Sequence, residues 1–204
     1  KDTIRKINIT REDRVVWQIY LQRATSYKQE MERMASTLTD DGSPMYSMEN
    51  IQQVTRDLHY ERYFEHSLHY AKGIHRVTCI QLYGEYYCDV GLFVEAAFIF
   101  PLVQVIRSGA TEMCDIENGF LNFEEIIEKF IAEMQFVALR KYLEKSLKNL
   151  SLPFAKVPGV SDSDVQGMID AKKVLIISQI TELYLQEFDE KTITESDRVN
   201  FLGF

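Results

Sequence analysis

Apolar residues recur every three or four positions along most of this chain, the spacing of amphipathic helices rather than the alternation of strands. Val15, Val16, Ile19, Tyr20, Tyr27, Met31 and Met34 form the apolar side of a first helix predicted over about 11–38, which Thr10 can cap. Gly42 and Pro44 interrupt the pattern, so 39–47 reads as a loop and Ser47 as the cap of a second helix, ending at Gly73. A third helix spans 74–89 and stops at Gly91. A fourth spans 92–106 and is kinked by Pro101, which removes a backbone hydrogen bond. After a loop over 109–121, Asn122 and Glu125 have the spacing of a capping box. The fifth helix follows, with Phe123, Ile127, Phe130, Met134, Val137, Ala138, Leu143, Leu147 and Leu150 at three-to-four spacing. Pro153, Pro158 and Gly159 mark a loop over 151–164. The last helix starts near Asp162 and reaches Phe188, with Leu175 to Ile177, Ile180, Leu183 and Tyr184 as its buried residues, and a tail covers 189–204.

No hairpin turn flanked by alternating apolar residues occurs, so the expected class is all-α. About six helices stack as antiparallel hairpins, as a solenoid segment or a helical bundle, in one domain over 1–204. Only 4 Pro and 9 Gly punctuate the chain, which favours such long elements. The chain opens at Lys1, and its expected status is a segment of a larger protein.

Charge narrows the partners. The net charge is −8 and no long basic run exists, which argues against direct nucleic-acid binding. No apolar run approaches the ~20 residues that cross a bilayer. Three cysteines, Cys79, Cys88 and Cys114, form no regular framework and read as free thiols of an intracellular protein, cytoplasmic or nuclear.

All four histidines lie in HYERYFEHSLHYAKGIH, residues 59–75. On a helix, Tyr60, Phe64, Leu68 and Ala71 share one side. His59, Arg62, His66 and His69 lie opposite, with Tyr63 and Tyr70 at the border. Glu65, His66 and His69 are close enough in register to hold one metal ion. A di-metal bundle, however, needs Glu-x-x-His on two helices, and that motif is absent. Glycine-rich phosphate loops and the Gly-x-Ser-x-Gly nucleophile turn are absent as well. Cys79 lies four residues after His75, the one local thiol–imidazole pair, and reads as a packed apolar residue.

The segment LYGEYYCDVGLFVEAAFIF, residues 82–100, resembles a tetratricopeptide repeat. Gly84 and Tyr87 stand at the paired positions of the family's first helix, and Gly91 in its turn. Phe93, Ala96 and Phe100 match the second helix. The resemblance implies that Gly84 and Ala96 are small where two antiparallel helices cross, and that the aromatics fill the space beside them. No second copy follows at the family's period, and Pro101 and Ser108 depart from its pattern.

These features point to a non-catalytic interaction or scaffold module without a cofactor, a subunit of a larger eukaryotic complex. Its partner would be a helix or an extended peptide held in a helical groove. The candidate contact residues are Tyr63, His66, Tyr70, Tyr83, Tyr86, Phe201 and Phe204, with Phe201, Leu202 and Phe204 as an apolar knot. Two alternatives stand beside this reading. One is a metal-dependent bundle enzyme using Glu65, His66 and His69. The other is a helical regulator of a small GTPase acting through Arg56, Arg62, Arg76 or Arg107.

Overall fold

A computed structural model describes residues 15–105, 123–150 and 161–189. Among these the chain is all-helical, and the one piece of β pairing is the isolated bridge Leu38↔Pro44. No described helix is long and apolar enough to cross a membrane. The chain divides into two compact units, Lys1–Val103 and Gln104–Phe204, where the sequence suggested one domain. The division falls between Val103 and Gln104, two residues past Pro101. Thr10, Asn122, Arg107, Cys114, Phe201, Leu202 and Phe204 lie outside the described residues, as do the 109–121 loop, most of the 151–164 loop and the tail beyond 189.

In the first unit, α1 covers 15–25 and α2 Tyr27–Ala35. The single long helix expected there is interrupted at Ser26. The Thr25 hydroxyl donates to Leu21 O and the Ser26 hydroxyl to Arg23 O, the back-bonding that bends helices. The buried face runs through Trp17, Ala24, Tyr27 and Met34, and leaves Val15 and Ile19 exposed. Helix α3, Met48–Asp57, starts as expected, with Asn50 N donating to the Ser47 hydroxyl at 3.2 Å. It ends sooner than expected: His59 takes φ +55° and turns the chain into α4, Glu61–Tyr70. Gly73 does not close α4 but stands at the N-terminus of α5, Ile74–Asp89, with φ +54°.

Helix α5 ends as the sequence implied. Gly91 has φ +76°, Leu92 N donates to Tyr87 O and Gly91 N to Cys88 O, the paired bonds of a Schellman closure. The turn leads into α6, Phe93–Ile99. Phe100 and Pro101 break the helix before α7, Leu102–Val105. Gly84 and Phe100, on either side of the turn at Gly91, touch each other, so α5 and α6 run antiparallel.

Four rings fill the centre of this unit. Tyr27 meets Tyr86 edge-on at 4.9 Å, and Phe64 stacks on Tyr83 at 5.0 Å. Each tyrosine carries its polar tip to a partner: Tyr27 Oη donates to Asp89 at 2.7 Å, Tyr86 Oη to Glu61 at 3.4 Å, and Tyr83 pairs with Tyr87. Burial pushes all four phenols above their ordinary range.

The second unit holds α8, Phe123–Ala132, α9, Phe136–Leu150, and α10, Asp162–Asp189. The continuous fifth helix expected over this region is two helices. Met134, at φ +55°, closes α8 with a Schellman pair: Gln135 N donates to Phe130 O and Met134 N to Ile131 O. The closure leaves Met134 and Val137 exposed, while Phe123, Ile126 and Phe130 stay buried. Tyr142 of α9 packs between Phe123 and Phe130. Helix α10 buries Ile169, Ile176, Ile180 and Leu183. Leu175 and Ile177, expected inside, face outward, because three consecutive residues of a helix cannot share one face.

Candidate partner-binding surface

The histidine stretch is split between the turn after α3, helix α4 and the start of α5, and its rings pack against aromatics. His75 stacks on Trp17 at 4.5 Å and His66 on Tyr20 at 5.0 Å. His69 stands edge-on to Tyr70, which lies nearly parallel to Tyr20 at 6.0 Å. The polar face assigned to His59, Arg62, His66 and His69 is exposed, and Phe64, Leu68 and Ala71 are buried beneath it. Among the described residues no three His, Cys, Asp or Glu side chains are grouped so as to hold a metal ion.

The junction of α1, α4 and α5 is locked by one buried hydroxyl. Ser67 donates to Trp17 O at 3.0 Å and lies 2.9 Å from Cys79 Sγ. Burial pushes the Cys79 thiol up, the opposite of what a nucleophilic cysteine requires. The ring of His75 meanwhile lies on Trp17.

Of the arginines named as candidates, Arg56 donates from Nη1 to Val90 O at 2.7 Å, at the C-terminus of α5. Arg76 donates to Leu68 O near the C-terminus of α4. Both close helix ends, where a cation also complements the helix dipole. Arg62 is exposed.

Two of the expected contact residues belong to the core. Tyr83 is 3% exposed and Tyr86 0%, and their rings are sandwiched among Tyr27, Phe64 and each other. A tyrosine with its hydroxyl satisfied inside the unit presents nothing to a partner. Tyr63, His66 and Tyr70 remain at the surface or partly so.

Tyr63 lines a groove of about 700 Å³ with Ile19, Tyr20, Gln22, Arg23, Thr25, Ser26 and Gln29. The guanidinium of Arg23 lies over the Tyr63 ring, 5.8 Å from its centre. Ile19 is 60% exposed at the groove, and Tyr20 links it to the stacked His66 and Tyr70. Such a volume suits a short peptide or a ligand of similar size. Sequence reasoning placed Ile19 and Tyr20 on a buried helix face and passed over Arg23. A signal was available: Arg23 is the single charged residue between 15 and 27, on a helix whose apolar residues exceed what one buried stripe can hold.

No protein-family model, curated protein or solved structure matches this chain.

Proposed function

We infer that the chain is a non-catalytic protein–protein interaction module, a helical-repeat-like segment of an intracellular scaffold or complex subunit, and that it meets its partner at the α1–α4 groove. The observation that carries this reading is the groove itself, where an exposed Ile19, a partly exposed Tyr63 and a held Arg23 combine the apolar, aromatic and arginine side chains that dominate protein interfaces. The α5–α6 hairpin supports the repeat component: Gly84 lies under Phe100, and Gly91 makes the turn, in the roles that the tetratricopeptide resemblance implies.

The test is affinity capture from a eukaryotic cytosolic lysate with the tagged chain, beside an Ile19→Asp/Tyr63→Ala variant whose helicity is verified by circular dichroism. The expected outcome is a stoichiometric, salt-resistant partner that the variant loses. A partner held equally by both proteins moves the interface elsewhere, and the absence of any stoichiometric partner sinks the reading.

A further inference from the structure

Resting on the groove as the partner surface, we propose that its occupant is an extended peptide segment with an acidic side chain, whose carboxylate pairs with Arg23 while a neighbouring aliphatic side chain sits against Ile19 and Tyr63. Charge is the first argument. Acidic residues outnumber basic ones by 31 to 23 in this chain, yet no carboxylate lines the groove and Arg23 is its one charged side chain. On α4, Glu61 turns away to accept from Tyr86 Oη, and Glu65 follows Tyr63 by two positions, about 200° around the helix.

The second argument is preorganisation. A guanidinium laid over an aromatic ring keeps its donors in the plane and has fewer conformers to lose when a carboxylate arrives. Pairing through two parallel N–H donors then gives both strength and orientation.

The third argument separates an extended segment from a helix. The groove carries two exposed glutamines, Gln22 and Gln29, and among the described residues neither side-chain amide makes a hydrogen bond. An amide offers a donor and an acceptor together, which match the unpaired N–H and C=O groups of an extended backbone. A helical partner has already satisfied those groups within itself. The hydroxyls of Thr25 and Ser26 donate to carbonyls of α1, so they compete less for the same backbone.

The experiment is selection of random nonapeptides, displayed on phage, against the wild-type chain and the variants Arg23→Glu and Ile19→Asp, followed by affinity measurement of the chosen peptides. Wild-type clones should be enriched in Asp or Glu beside Leu, Ile or Val, and should bind Arg23→Glu weaker by about tenfold or more. Arg23→Glu should itself select peptides with Lys or Arg at that position. If charge reversal disturbs α1, Arg23→Gln serves instead, with the same loss for acidic peptides and no reversed selection. Clones that need Ile19 but show no acidic enrichment, and bind Arg23→Glu unchanged, overturn the proposal while the groove keeps its role. Failure to select any peptide dependent on Ile19 overturns both.

Discussion

The ring of Phe100 lies against the backbone of Gly84, so close that a Cβ added there would stand 2.6 Å from Cδ1 and nearer still to the ring edge. This contact sets the crossing of α5 and α6. Gly84→Ala gains about 1 kcal/mol of helix propensity and meets an overpacking cost of about 1–3 kcal/mol. We expect net destabilisation in urea denaturation, relieved in large part when Phe100→Leu is added. A Gly84→Ala protein as stable as wild type would mean that the helices separate without cost.

Arg56 joins two helices by a side chain. Its Nη1 donates to Val90 O, while Gln52, one turn earlier on α3, donates from Nε2 to Asp89 O at 3.2 Å. Both carbonyls belong to the C-terminal end of α5, where backbone acceptors have no helical donor. Arg56→Ala should destabilise the first unit by about 1–2 kcal/mol, as for a charged hydrogen bond lost at a partly buried carbonyl. Arg62→Ala, on the exposed face, should stay within about 0.5 kcal/mol. Equal thermal shifts for the two variants would refute this account.

Met134 occupies a backbone conformation that suits glycine, with φ +55°, and it is 75% exposed. A non-glycine residue in the left-handed region costs about 1–2 kcal/mol, and an exposed side chain recovers little of that by packing. Met134→Gly should therefore raise the stability of the second unit by about 1 kcal/mol, although most glycine substitutions lower it. Met134→Ala serves as the control and should bring no gain.

Asp41 organises the loop between α2 and α3. Its carboxylate accepts from the Thr39 hydroxyl and from both the backbone N–H and the hydroxyl of Ser43, which holds its pKa down at about 2. A depressed carboxyl stabilises the loop fully above the unfolded value of about 4 and loses that contribution as pH falls through its folded value. An NMR titration of the Asp41 side chain should show a midpoint near 2, and the Leu38↔Pro44 bridge should loosen at the same pH. A midpoint near 4 would show that the three donors are not engaged.

Much of the local structure was legible in the residues. Ser47 as a cap, Gly91 as a turn and the exposed histidine face all follow from short-range chemistry, in which a side chain acts on its own backbone or its own helix turn, whereas Pro101, expected to kink one helix, separates two. The breaks at His59 and Met134 were not legible. Each is a left-handed closure, made at Met134 by a residue with no such preference and at His59 by one whose modest preference does not single it out, and held because the chain must return to pack Phe64 or Tyr142.

The site divides along the same line. Tyr63 and Tyr70 were readable as border residues of one helix and His66 as part of its polar face, because helical periodicity is a property of that segment alone. Tyr83 and Tyr86 share their composition and spacing, yet they are core, since only the neighbouring helices determine which face of an aromatic-rich helix is covered. Arg23 is the clearest case: the sequence marks it as a lone charge on an apolar helix, but its place over the Tyr63 ring exists only where α1 lies beside α4. The sequence by itself determined the all-helical class and the capping and turning chemistry, which depend on near neighbours. The tertiary structure alone decided which apolar face is buried and which charge lines a groove, because burial is a relation between segments distant in the chain.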